Sequence, residues 1–417
     1  MNKRSRAFII ELAAAATKPS DVNQGRMSST ESTRPLHPTG RAYAALIGFG
    51  LLLCTCDDGR AQEPNEAAST HTRSSLSTDT PPSHVSESSP PKPSTTNPTA
   101  AKSDKVQGIT VSTHRIGLEW GTDVIEPTLD HIGSVGANWV AIHPYAMIRD
   151  DGSVGWQRFD PKAYAASIQR PIREAHLRGL KILVKPHLAY WGSGFSWRGA
   201  IDFEDPIKRD RFFRDYRAWT LEVASLSTEA DAFSVGCELD ELLEHEAQWR
   251  AIIAEVRSRS DAALTYAANW PNYKKVPFWD ALDAIGIQAY FPLSEAADPS
   301  EDELRRGWHK HMTALRAYSN EMERPIVFTE LGYNRSMQTA RKPWDYSVEN
   351  SDAAEALQRR ALGIALEAVD RERAVVGSFL WKWFPEPRPN GRTYAIATDP
   401  MKRMICDNWC QRPTTKR

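Results

Sequence analysis

Two glutamates are the residues of this chain best placed to do chemistry together. Glu238 closes the short apolar run Phe233-Ser234-Val235-Gly236-Cys237-Glu238-Leu239. Glu330 lies near the end of a second, Ile326-Val327-Phe328-Thr329-Glu330-Leu331-Gly332. Each run has the length and residue types of a buried strand. Two carboxyl groups brought to one place can act as nucleophile and acid on a bond held between them. Glycoside hydrolysis asks for such a pair. Retaining enzymes set the carboxyls about 5–5.5 Å apart, one as nucleophile and the other first as acid and then as base. The acid must keep its proton near neutral pH, through partial burial or a neighbouring negative charge. The nucleophile must stay ionised, which a tyrosine hydroxyl supports, and Tyr290 is placed for that. A lone Glu at a strand end is usually a surface residue, so it is the pair that carries the reading.

The elements that position them begin near Lys105. Short β-branched runs alternate there with amphipathic helical stretches, the signature of βα units and a parallel sheet. Eight strands are expected. They start near Gly108-Ile109-Thr110-Val111, Trp139-Val140-Ala141-Ile142, Lys181-Ile182-Leu183-Val184, Phe233-Ser234-Val235, Ala263-Leu264-Thr265-Tyr266, Ala284-Ile285-Gly286-Ile287, Ile326-Val327-Phe328 and Val375-Val376-Gly377-Ser378. Helices are expected over Tyr164 to Leu177, Phe212 to Leu226, Trp249 to Val256 and Ala353 to Val369. The link between the fifth and sixth strands holds at most a helical turn around Val276 to Ala281. Eight repeats over about 300 residues fit a (β/α)8 TIM barrel. A doubly wound open sheet is the second choice, but no glycine-rich phosphate loop follows any strand.

Barrel chemistry sits at the C-terminal strand ends. Those ends carry His143 and Tyr145, then Lys185, His187, Tyr190 and Trp191, then Glu238. The later strands end in Asn269 and Trp270, Gln288 and Tyr290, Glu330, and Trp381 and Trp383. His143, Lys185, His187, Asn269, Trp270 and Gln288 are candidates for sugar contacts. His143 and His187 could equally be structural hydrogen-bonders, and Lys185 could pair with a buried carboxylate. Trp381 is either a sugar platform or a plug in the barrel, since an indole stacks on the apolar face of a pyranose or packs in a core. The cluster Asp240, Glu241, Glu244 and Glu246 reads as the solvated opening of a helix, where negative charge suits the dipole.

The remaining sequence bounds the setting. Of 417 residues, 25% are charged and the net charge is −1. That balance offers no field for nucleic acid or an anionic membrane. No pair of the five cysteines has zinc spacing with a histidine nearby, so no metal is expected. Cys406 and Cys410 could bridge in an oxidising compartment, and Cys237 reads as a small buried thiol. Residues 1–56 form an N-terminal extension and targeting segment. The apolar run Tyr43 to Leu53 behind Arg34 and Arg41 suits a signal-peptide core, and Met27 is a plausible start. Cys56 follows as the candidate lipidated residue of a lipoprotein signal, with simple secretion as the other reading. Residues 57–104 are a Ser/Thr/Pro-rich tether without the apolar content to fold. Residues 105–417 hold the barrel, and the site of action is extracytoplasmic.

These motifs resemble glycoside hydrolase family 113. The resemblance rests on Ser234-Val235-Gly236-Cys237-Glu238-Leu239, Leu264-Thr265-Tyr266-Ala267-Ala268-Asn269-Trp270 and Pro277-Phe278-Trp279-Asp280. It continues through Ile285-Gly286-Ile287-Gln288-Ala289-Tyr290-Phe291-Pro292-Leu293, Phe328-Thr329-Glu330-Leu331-Gly332-Tyr333, Lys342-Pro343-Trp344 and Phe379-Leu380-Trp381-Lys382-Trp383. It covers about Gly108 to Trp383 with the motifs in order. It implies a clan A retaining glycosidase, mainly of the β-1,4-mannanase type, with Glu238 as acid/base and Glu330 as nucleophile. It also implies Tyr290 near the nucleophile and Trp381 at the reacting sugar. One departure stands out: clan A enzymes commonly place Asn before the acid/base to bind the sugar 2-hydroxyl, and here the residue is Cys237, a weak hydrogen-bonder. The expected partner is a polysaccharide or oligosaccharide, with no cofactor and a monomeric chain. The alternatives are an exo-β-mannosidase or β-glucanase on the same barrel, or a non-catalytic glycan-binding surface protein.

Overall fold

The computed structural model describes residues 105–114, 116–385 and 394–410. The expected signal segment, Cys56 and the Ser/Thr/Pro tether lie outside the described residues. Among the described residues no helix is long and apolar enough to cross a membrane.

The chain runs through β1 (Val106–Val111), α1 (Ile125–Ser134), β2 (Trp139–Ile142), β3 (Tyr145–Ile148), β4 (Val154–Gly155), α2 (Pro161–Leu177), β5 (Lys181–Val184) and β6 (His187–Ala189). It continues with α3 (Pro206–Leu226), β7 (Ala232–Cys237), α4 (Glu246–Arg259), β8 (Ala263–Asn269), β9 (Ile285–Gln288), α5 (Glu301–Met322) and β10 (Ile326–Leu331). Last come α6 (Asp352–Arg371), β11 (Val375–Trp383) and α7 (Asp399–Trp409). Eight strands close a parallel barrel in the order β1-β11-β10-β9-β8-β7-β5-β2. These are the eight strands expected from sequence, and their closure excludes the open doubly wound sheet. The link between β8 and β9 holds only short 3-10 turns, Tyr273–Lys275 and Trp279–Ala281.

Helix starts follow local chemistry. Asp160 and Asp205 cap α2 and α3, each with proline in the first turn, where its missing N–H costs nothing. Ser300 and Glu303 form a capping box at α5, which ties down two otherwise unpaired N–H groups.

Inside the barrel, the end away from the strand C-termini is filled by Val106, Trp139, Leu183, Val327 and Phe379 with small alanines between them. Gly108 makes room for the Phe379 ring, which a Cβ there would meet at 2.3 Å. The larger core lies between the barrel and its helices. Cys406 and Cys410 are bridged in the last turn of α7, with Cα atoms 4.8 Å apart.

A second sheet, in the order β4-β3-β6, was not anticipated. It grows from two barrel strands that stop at His143-Pro144 and Lys185-Pro186. Proline has no N–H to give the ladder, so β2 and β5 end there. The chain then re-pairs as β3 beside β6, with Tyr145 opposite His187. The break leaves His143 and Lys185 at the barrel mouth.

Candidate active site

Glu330 belongs to β10, and both of its carboxylate oxygens accept hydrogen bonds. The Lys185 ammonium donates to Oε1. The Tyr290 hydroxyl donates to Oε2 at 2.6 Å. Burial, and Glu330 next, push the Tyr290 phenol well above its ordinary range, so it remains a donor. Lys185 also reaches the Thr329 carbonyl at 3.3 Å and Gln288 Oε1 at 3.5 Å, and it lies 5.3 Å from the Trp381 ring centroid. Two donors on two oxygens suit a carboxylate that stays a pure acceptor.

Glu238 follows the last residue of β7 and has φ 57°. Its N–H still bonds Ala267 O at 2.9 Å, so the ladder holds while the chain turns at once and the side chain swings to the mouth. Burial raises the Glu238 pKa and the charge of Glu330 adds to that, while Arg198 opposes it. Arg198 Nη2 stands 3.2 Å from Glu238 Oε2, with both side chains largely buried. The pair is thus asymmetric in the sense acid/base chemistry requires: one carboxyl is held by donors and the other is pushed toward keeping its proton.

The ten residues singled out from sequence do gather at this mouth, but in two layers. His143, Lys185, His187 and Gln288 are 1% exposed or less. They form a buried layer beneath the mouth, with almost no surface open to a ligand as the site stands. Both ends of the Gln288 amide are engaged: its Oε1 accepts from Thr329 at 2.8 Å and its Nε2 faces Cys237 Sγ at 3.5 Å. His143 and His187 stack at 4.9 Å below Trp381, and burial, together with the nearby cations Lys185 and Arg198, keeps both neutral. Tyr290, Trp381 and Asn269 keep 7–8% of their surface, and Trp270 more.

Asp240 is not on the solvated face expected for it. Its Oδ2 accepts from Asn269 at 2.9 Å and Asn272 at 2.7 Å, and burial pushes its pKa up. The helix begins later, at Glu246. One N–H of the Asn269 amide is therefore held by Asp240.

Three residues near the mouth were given no role from sequence, although Trp344 stood in the motif Lys342-Pro343-Trp344. Arg198 sits in a 3-10 turn (Arg198–Ala200) within the loop after β6, at no strand end and in no periodic pattern. Trp344 and Tyr346 come from the loop between β10 and α6. Trp344 is 43% exposed and stacks on Trp270 at 5.5 Å. Tyr346 stands edge-on to Tyr394 at 5.8 Å, close enough to Glu238, Arg198 and Glu330 to feel their charges. Tyr394 pins that loop: its hydroxyl, with a single proton to donate, lies between the carbonyls of Pro343, at 2.6 Å, and Asp345, at 2.8 Å.

His187, Cys237 and Glu330 bring one potential metal-ligand atom each within 4.8 Å of one another. The Lys185 ammonium already occupies that carboxylate, so the arrangement is an ion pair over a thiol and an imidazole. Cys237 Sγ lies 3.3 Å from His187 Nε2, and burial raises the thiol pKa, with Glu238 adding to it.

The model of glycoside hydrolase family 113 matches residues 110–394. Among solved structures the chain is similar to the β-mannanase AaManA of that family from Alicyclobacillus acidocaldarius, solved in complex with ManMIm. Identity is 25% and the TM-score 0.63, over 73% of this chain and 97% of that one. A second β-1,4-mannanase of the family, at 21% identity and TM-score 0.65 over 74% and 99% of the two chains, shares the fold. No curated protein sequence matches the chain.

Proposed function

The chain belongs to glycoside hydrolase family 113 and is a glycoside hydrolase, and from that premise we propose that it cleaves β-1,4-linked mannan-type polysaccharide with retention of configuration. In the first step a Glu330 oxygen bonds the anomeric carbon while the glycosidic C–O bond breaks. Glu238 gives its proton to the leaving oxygen. In the second step water attacks the same carbon, the bond to Glu330 breaks, and Glu238 takes the proton. Tyr290 and Lys185 hold the nucleophile, and Trp381 is the floor under the reacting sugar. Action outside the cytoplasm, by secretion or through lipidated Cys56, belongs to the same proposal.

The observation that carries this reading is the asymmetry of the two carboxyls. Glu330 accepts from Lys185 and Tyr290, while Glu238 is pushed toward its protonated form by burial and by Glu330. The substrate class rests on the β-mannanases to which the chain is similar. The test is reducing-sugar release from mannan, glucomannan, xylan and β-glucan by wild type, Glu330→Ala and Glu238→Ala. Release from mannan by wild type alone supports the reading, and NMR of the first product anomer checks retention. Release from another glucan keeps the mechanism and removes mannan. Binding without release in wild type leaves a glycan-binding protein.

A further inference from the structure

Arg198 is the cation in contact with Glu238, and neither the strand pattern nor the resemblance to known enzymes assigns it a part. Its Nη2 faces Glu238 Oε2 at 3.2 Å, and its buried Nε has no hydrogen-bond partner. A guanidinium held there without a full set of acceptors is costly to bury, so its position calls for a reason beyond tying down a loop. We propose that Arg198 is a positioning residue for Glu238 that fixes the carboxyl at the barrel mouth and keeps it ionised once the glycosyl–enzyme has formed. This rests on the two-carboxylate reading above.

The groups facing Glu238 are Arg198 from the loop after β6, Lys185 from the end of β5 and Glu330 from β10. Asp240 and Cys237 lie beside it in its own chain, and Tyr346 faces it from the loop after β10. Before reaction, the charge on Glu330 favours a proton on Glu238, and Arg198 and Lys185 oppose it. When Glu330 becomes an ester it loses its charge, while both cations remain. The field at Glu238 then turns cationic, at the moment when Glu238 has given up its proton and must accept one from water. Arg198, in direct contact, makes the larger cationic contribution.

The test uses a 2,4-dinitrophenyl β-mannobioside, whose phenolate leaves without a proton, so that turnover is limited by the second step. The acid limb of its kcat–pH profile then reports ionisation of Glu238 in the glycosyl–enzyme. In R198Q and R198M, which keep most of the side-chain volume, that limb moves up by about 1 pH unit or more, the usual effect of losing an opposite charge at contact distance. R198K restores part of the shift. Azide, which attacks without base assistance, restores turnover of R198Q near neutral pH as glycosyl azide. A lower kcat with the limb unmoved in whichever of the two variants folds, or a higher KM alone, would overturn the proposal and leave Arg198 a loop staple or a sugar contact. E238A serves as the control on the underlying reading. If E238A hydrolyses mannan as wild type does, the two-carboxylate reading falls and this proposal with it. If E238A is inactive and the limb stays fixed in the Arg198 variants, this proposal falls alone.

Discussion

At Glu238 the backbone and the side chain make opposed demands. A non-glycine residue at φ 57° sits in the left-handed region, which costs roughly 1–2 kcal/mol for a residue with a Cβ. The strand has kept its ladder bond to Ala267 and must still turn within one residue to aim the carboxyl inward. Two variants separate the backbone cost from the loss of the carboxyl. Glu238→Gly is expected to be more stable than Glu238→Ala by about 1 kcal/mol in urea unfolding, with both inactive. Equal stabilities would show that the turn at 238 is relaxed. Across the mouth, Tyr290→Phe removes one donor from Glu330 and leaves the ring. A hydrogen bond to a charged group contributes about 1.5–3 kcal/mol, so kcat/KM is expected to fall about 10- to 100-fold. Because the phenol stays protonated far above neutral pH, the fall should be constant from pH 5 to 8. A loss confined to the alkaline side would contradict the donor role.

Two kinds of element shape the mouth, and each was visible in the sequence to a different degree. The barrel strands were legible, since apolar runs of strand length between amphipathic stretches have few other solutions. The small sheet β4-β3-β6 was not, although Pro144 and Pro186 directly after the strand-end residues His143 and Lys185 were its signal. The start of α5 was readable, since Ser300 and Glu303 stand at capping-box spacing. The loop between β10 and α6 was the hardest to read, because its residues answer to no period. Its placement depends on Tyr394, some fifty residues on, whose hydroxyl lies within hydrogen-bond reach of the carbonyls of Pro343 and Asp345. That loop presents the exposed Trp344, stacked on the partly buried Trp270. On the proposed mannanase function, such a pair would stack on sugar rings away from the cleaved bond. Trp344→Ala is therefore expected to lower kcat/KM on mannan about tenfold and to leave an aryl mannobioside within about twofold. Equal losses on both substrates would place Trp344 in structural support of the loop.

At the scale of the whole molecule, the site weakens the fold that carries it, and the sequence could not show how much. Patterning revealed which residues stand at strand ends but not their depth. His143, Lys185, His187 and Gln288 look like lining residues in sequence and are buried beneath it in space. Arg198 and Asp240 acquired their roles only through contacts with distant segments. The same burial has a thermodynamic consequence for Glu238. Its carboxyl binds a proton more tightly in the folded chain than at its ordinary value of 4.5. A folded-state value above the unfolded one contributes stability that is fully present below about pH 4.5 and is lost as pH rises through the folded value. Asp240 shifts in the same direction from 3.8 and adds to the trend from a lower starting point. Glu238→Gln keeps the shape and cannot ionise, so it should gain on wild type as pH rises from 4.5 toward 7. One proton bounds that gain at about 1.4 kcal/mol per pH unit. Urea midpoints for the two proteins should therefore lie near a fixed offset at pH 4 and diverge upward, with Glu238→Gln the more stable partner at neutral pH. An offset that does not change with pH would mean that the ionised carboxyl is as well solvated in the folded barrel as in the unfolded chain. The proton that Glu238 gives to the leaving group would then have to be held there by the substrate rather than by the protein.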